Sequence, residues 1–181
     1  ANLNTTNFFW WDELELVLLK NAKEFKGAVS ADGNSILIDS TEAGRSTAYN
    51  SLLLLLRKMC SDKRNKVMED VFAITGRPSA VNEFRCMTYE EVKKLAASPA
   101  AIIGAHSVNH PSLASCSPQQ QQAEINESIQ LLSELSGKAI IHFSYPYGTR
   151  SDYNETTKKL VRQAGIEWAA ANFPYPANRK S

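Results

Sequence analysis

A chain of 181 residues, 43% hydrophobic and 22% charged, has the ordinary composition of a globular domain with a sizeable core. Its 20 basic and 19 acidic residues leave a formal charge of +1, which argues against the basic footprint of a nucleic-acid binder and against a polybasic membrane patch. The longest apolar run, the five leucines Leu52–Leu56, is too short to span a bilayer, and no N-terminal stretch has the layout of a signal peptide.

Ala1–Asn7 is polar and aperiodic, an abrupt lead into a strong helix that suggests a trimmed start. Phe8–Lys20 comes next, with Trp10, Trp11, Leu14, Val17 and Leu18 on one helical face and with Asp12, Glu13 and Glu15 near the positive end of the helix dipole. The Trp pair reads as helix packing, with a sugar platform as the alternative. Between Lys26 and Asp39, the turn Asp32-Gly33-Asn34 separates two short apolar runs and predicts a β-hairpin. Ser40–Cys60 reads as a helix capped by Thr41 or Ser40 and buried at Leu52–Leu56 on more than one side. Asp62–Thr75 repeats the pattern with Val67, Val71 and Ile74 inward, and Gly76 is expected to end it in the left-handed position. The charges over Asp62–Lys66 read as a solvated face, and Gly76–Ser79 as a loop. Residues 8–80 thus form a mostly helical block with one hairpin and no evident chemistry.

From Phe84 onward the pattern changes. Thr88-Tyr89-Glu90-Glu91 is a capping box opening a helix buried at Val92, Leu95 and Ala96 and ended by Ser98-Pro99. A strand is expected at Ala101–Ala105, then a polar turn. Ser117-Pro118-Gln119-Gln120 starts a helix running to about Ser136, with Ile125, Ile129, Leu132 and Leu135 inward and Gly137 at its end. Ala139–Phe143 reads as a strand opening into the loop Ser144–Gly148. A helix starting at Asp152–Glu155 runs to Ala164, a strand covers Ile166–Ala171, and Phe173–Pro176 is coil. Helix and strand alternate with short connections, the βα pattern of a parallel sheet whose C-terminal strand ends form the site face. Three strands are too few for a closed barrel.

The chain has three histidines, and two of them, His106 and His110, lie four residues apart in the turn after the Ala101–Ala105 strand. Neutral imidazoles at that spacing can share a zinc ion, with Zn–N about 2.0–2.1 Å, although a catalytic site also needs a third ligand and an open position. The alternative is a capped, solvated loop whose histidines bond backbone. Tyr145 and Tyr147 lie in the next strand-end loop on the same face, where they serve either a ligand or loop packing. Cys60, Cys86 and Cys116 are odd in number, widely spaced and without a CxxC pair, which predicts reduced thiols and a cytoplasmic protein. A secreted or periplasmic form stays open if the start is trimmed.

The stretch GAHSVNHPSLAS, followed after a helix by HFSYPYG, resembles the NodB-like polysaccharide deacetylases, carbohydrate esterases that remove N- or O-acetyl groups from sugars. Their motif H-[ST]-x-x-H-P is matched in full by His106-Ser107-Val108-Asn109-His110-Pro111, and the likeness runs from about Phe84 to Asn172. WWDELE near the start is similar to members that carry a helical insertion. The resemblance implies an α/β fold of the distorted (β/α) barrel type, here partial, with the helical insertion and small hairpin at residues 8–80 and the βα part at 84–172 of one incomplete domain. It implies a divalent metal, zinc by expectation, held by an Asp-His-His set in which His106 and His110 are ligands. It implies that Tyr147 offers its backbone N–H to the oxyanion, and that Tyr145, Pro146 and Tyr147 meet an acetylated saccharide.

This sequence departs from the family pattern at three points. The family's T-F-D-D-G strand, source of the base and the third ligand, has no match, and the chain contains no Asp-Asp pair. Ser144 stands where the family has an aspartate-orienting arginine, and no histidine comes after His142 to act as acid. The expectation is therefore an inactive piece of a deacetylase, prone to self-association through exposed sheet edges. The alternative is a non-catalytic carbohydrate-binding or interaction protein on a degenerate scaffold.

Overall fold

A computed structural model describes residues 3–5, 8–78 and 85–172. The expected coil at Phe173–Pro176 lies outside them, as do Ser79 and Phe84. The chain divides into two compact units, Asn2–Val92 and Lys93–Ser181.

The first unit is helical around one hairpin. Helix α1 (Trp10–Leu18) buries Trp10, Leu14, Val17 and Leu18. Trp10 is thus core, and Trp11 stacks on Phe9 with ring centroids 4.6 Å apart, which gives both tryptophans packing roles. Strands β1 (Lys26–Ala31) and β2 (Asn34–Asp39) pair antiparallel. The turn residues Asp32 and Gly33 both have positive φ, 52° and 78°, as a two-residue hairpin loop requires. Val29, Ala31, Ile36 and Ile38 face inward while Leu37 stays 74% exposed, the period of two expected of a one-sided hairpin. Helix α2 (Glu42–Arg57) is capped by Thr41, whose hydroxyl accepts from the Gly44 amide at 3.1 Å. It buries Leu52 and Leu56 and leaves Leu54 63% exposed, so its leucine run has one buried face, because residues two apart on a helix cannot share a side. Arg45 ties α1 to the hairpin by donating to the carbonyls of Leu18, Asn21, Lys23 and Ser40. Helix α3 (Ser61–Thr75) ends at Gly76, whose φ of 78° is positive as expected but whose ψ of 162° is extended rather than left-handed helical.

The Thr88 capping box is formed in both directions, Glu91 N–H to Thr88 Oγ1 and Thr88 N–H to Glu91 Oε2, and opens helix α4 (Tyr89–Ala97). Val92 and Ala96 are buried on it, whereas Leu95 is exposed.

In the second unit, α5 (Pro118–Ser136) starts with the expected Ser117 capping box and ends at Gly137 in the left-handed conformation. Helix α6 (Glu155–Gln163) is capped by Asn154. Strands β3 (His142–Ser144) and β4 (Trp168–Ala170) pair in parallel, so helices and a parallel sheet do alternate here, in a mixed helix-and-sheet fold. The strands are shorter than expected. Ala101–Ala105 is not a full strand: only Ala105 bridges to Phe143, and Ile102 is 78% exposed. All three residues of β4 are exposed, so neither segment has the two-sided cover that sustains a longer parallel strand. The core of this unit joins Ala105, Leu113, Ile125, Ile140, Phe143, Tyr145, Val161 and Ile166.

Cys60 and Cys116 are each disulfide-bonded and Cys86 is in no disulfide, which corrects the expectation of three reduced cysteines; wide spacing and an odd count do not exclude disulfides. No helix among the described residues is long and apolar enough to cross a membrane.

One carboxylate in the first unit gives a pH signature. Burial pushes Glu13 up to about 6 from 4.5, reinforced by Glu69 and Asp12 and partly offset by Arg77. The folded state therefore holds this proton more tightly than the unfolded chain, and the stability tied to it is present below about 4.5 and lost as pH rises through about 6. Glu13→Gln is expected to be more stable than the parent above pH 6, by about 1 kcal/mol at most because the side chain is only half-buried. The two should converge below pH 4.5 in urea melts; a constant offset across pH would contradict this.

Candidate functional site

The two strand-end loops come together. Ala105 donates its N–H to the His142 carbonyl at 2.8 Å and accepts from the Ser144 N–H at 2.9 Å. The residue after this bridge, His106, lies beside the end of β3, and its Nδ1 is 2.7 Å from the Ser144 carbonyl oxygen. A carbonyl can only accept, so Nδ1 carries the proton, and in the neutral tautomer this selects, Nε2 is the nitrogen with the lone pair. The turn to His110 is tight. Ser107 and His110 adopt left-handed φ of 64° and 54°, and the Ser107 hydroxyl accepts from the His110 amide at 3.0 Å. The His106 and His110 rings meet edge to face, centroids 4.7 Å apart.

The second loop supplies Tyr147, whose ring stands 4.6 Å from His110 at 87°. Tyr147 also has positive φ, 59°. Three of the five non-glycine residues with positive φ among the described residues therefore lie in these two loops. Each such conformation costs roughly 1–2 kcal/mol and persists only where the surroundings impose it. Gly148 comes next at φ 70°, and a Cβ there would sit 2.6 Å from the Asn172 nitrogen, which donates to the Gly148 carbonyl at 2.9 Å. Tyr147 is half-buried and Pro146 buried.

Tyr145 belongs to the core. It is buried, stacks on Tyr153 with centroids 4.1 Å apart, and burial raises its phenol above the usual value. Its ring also meets Phe143 edge to face, centroids 5.6 Å apart, within the core of this unit.

A buried polar framework holds both loops. Gln121 donates to the Cys116 carbonyl at 3.0 Å and accepts from the Thr157 hydroxyl at 2.7 Å, linking α5 to α6. Asp152 accepts from the Thr149 amide at 3.0 Å and hydroxyl, and its carbonyl accepts from the Ala114 amide at 3.0 Å. Glu124 accepts at Oε2 from the amides of Val108 (2.9 Å) and Asn109 (2.8 Å), and at Oε1 from Asn109 Nδ2 (2.9 Å). The sequence pattern placed neither Gln121 nor Glu124. Their one signal is position, since both fall on the arc of α5 that carries Ile125, where a polar residue has to be paired.

Among the described residues, no group of three His, Cys, Asp or Glu side chains is arranged to hold a metal ion. The donor chemistry fits two positions of a divalent site, with His106 presenting Nε2 and His110 adjacent, but not a full ligand set.

The sequence profile described as polysaccharide deacetylase matches residues 44–169, a span that contains both loops. The chain belongs to the polysaccharide deacetylase family. It is 31% identical over 93 residues to YxkH of Bacillus subtilis (strain 168), a protein placed among the polysaccharide deacetylases, covering 51% of this chain and 32% of that one. The chain thus spans about a third of the curated relative it matches. The Streptococcus pyogenes deacetylase PplD, solved in complex with acetate, is 26% identical with a TM-score of 0.42, over 47% of this chain and 36% of that chain, too loose an overlap to carry a structural argument.

Nitrogen-15 spectra of the imidazoles above pH 8 are expected to show His106 in the Nδ1–H tautomer; an Nε2–H tautomer would contradict the contact with the Ser144 carbonyl.

Proposed function

We propose that this chain carries the two-histidine part of the site of a metal-dependent saccharide deacetylase, a hydrolase of N- or O-acetyl groups. The observation that carries the reading is the convergence of His106, His110 and Tyr147, with the His106 tautomer set for coordination, in a chain of this family. A divalent metal, zinc by expectation, would polarise the acetyl carbonyl and acidify a water when bound. His106 and His110 would be two of its ligands. His106 is oriented for this by the Ser144 carbonyl, the usual role of a hydrogen bond to the far nitrogen of a ligating imidazole. Tyr147 has two parts in the proposal: its ring borders the sugar beside His110, and its backbone N–H, in a loop locked at positive φ, faces the developing oxyanion. Pro146 rigidifies that loop.

The carboxylates that complete the site would come from a T-F-D-D-G strand elsewhere in the protein. We infer likewise that the short sheet is part of a distorted (β/α) barrel. The exposed β4 edge and the exposed Ile102 support continuation of the sheet on both sides, and the same edges would promote self-association of these residues alone. Disulfide-bonded Cys60 and Cys116 favour an oxidising compartment over the cytoplasm. Three reactive thiols in the unfolded, unreduced chain, instead of one, would overturn that.

Calorimetry on the 181 residues is expected to show weak zinc binding that His106→Ala or His110→Ala abolishes. No binding at all would remove the metal reading, and tight one-to-one binding would remove the incomplete-site reading. Acetate release from an acetylated chito-oligosaccharide is expected only from a form that also carries the carboxylate strand. Release by these residues alone, or by neither form, would contradict the proposal, and the latter would favour a non-catalytic sugar binder.

A further inference from the structure

We propose that Glu124 is the positioning residue that sets the separation of the two histidines, acting through the Val108–Asn109 backbone and the Asn109 side chain. The inference deepens the metal-site reading above and rests on it for its consequence, though not for its geometry.

The turn from His106 to His110 leaves two successive backbone amides, Val108 and Asn109, outside any strand or helix of their own. Both end on one oxygen of Glu124, at 2.9 and 2.8 Å, and the Asn109 amide group ends on the other oxygen at 2.9 Å. Three donors on two oxygens require a group that accepts at both ends. A carboxylate meets this requirement; a carboxamide of the same shape does not, because one of its ends donates. At 6% exposure, the charge is stabilised by these bonds, which are stronger for being charge-assisted.

The placement makes the contact consequential. His106 and His110 flank the clamped peptide on either side, and Ser107 and His110 hold positive φ that the clamp helps to impose. Glu124 is on α5, one turn after Gln121, which fixes that helix to the Cys116 carbonyl and to Thr157 on α6. The rigidity of the α5–α6 pair thus reaches the imidazoles through one side chain. Glu124 forms no three-group cluster with the histidines, so its role is to position the ligands and not to be one.

The hydrogen-bond polarity gives a specific test. Glu124→Ala removes both acceptor oxygens and leaves the two backbone N–H groups and the Asn109 amide group without them. Asn109→Asp sets two carboxylates face to face. The double variant Glu124→Gln with Asn109→Asp restores complementarity, with the introduced amide oxygen taking both backbone N–H groups and its nitrogen donating to the introduced carboxylate. The readouts are nuclear Overhauser contacts between the His106 and His110 rings and between the His110 and Tyr147 rings in the metal-free chain, and calorimetric zinc affinity. Each single variant is expected to lose the ring contacts and about tenfold in zinc affinity, and the double variant to regain both. Single variants that keep the contacts, or a double variant no better than either single, would overturn the proposal. If a single variant fails to fold, recovery or loss of the contacts in the double still decides. A parent chain that binds no zinc would end the metal reading while leaving the ring contacts to judge the positioning role.

Discussion

Two backbone hydrogen bonds, Ala105 N–H to the His142 carbonyl and Ser144 N–H to the Ala105 carbonyl, decide where the chemistry of the second unit can be. They bring the end of one extended segment beside the end of β3, and the next residue of the first segment is His106. The same register leaves the Ser144 carbonyl facing the imidazole, which fixes the tautomer. Gly104 belongs to this constraint, because a Cβ there would lie 3.2 Å from His142 Cβ and its carbonyl oxygen, tighter than ordinary contact. A short parallel pairing thus substitutes for a longer strand in delivering two loops to one face.

Beyond the bridge, the backbone of both loops is held in an unfavourable state. Ser107, His110 and Tyr147 all sit at positive φ without being glycine, and the compensation is a set of buried polar groups: Glu124 on the first loop, Asp152 between the loops, and Gln121 with Thr157 beneath them. Such groups are costly to bury unpaired and specific when paired. Replacing them with apolar residues would keep the volume and release the loops. Strain at the site and pairing below it are two sides of one design, in which the core supplies rigidity and the loops hold geometry they would not adopt alone.

The elements with local causes were legible in the sequence. The capping boxes at Thr88 and Ser117, the Asp32-Gly33 turn and the helix stop at Gly137 each depend on residues within four positions of one another, and each forms as expected. The pairing of the two loops was legible too, because the βα alternation places strand ends on one face. The hidden features depended on distant partners. The Ala101–Ala105 run looked like a buried strand, but its neighbours leave Ile102 exposed and only Ala105 paired. Tyr145 and Tyr147 look alike in Tyr-Pro-Tyr-Gly, yet Tyr153 draws the first into the core and His110 meets the second. Glu124 and Gln121 sit in a glutamine-rich surface-like stretch, and only their distant partners, the first loop for Glu124 and Thr157 on α6 for Gln121, show why they are buried.

The claim on which the rest turns is that His106 and His110 act on one metal ion. X-ray absorption at the zinc edge of the loaded chain tests it most directly. Two imidazole nitrogens at about 2.0–2.1 Å, with oxygen in the remaining positions, are the predicted shell. A shell with one imidazole or none would contradict a shared site.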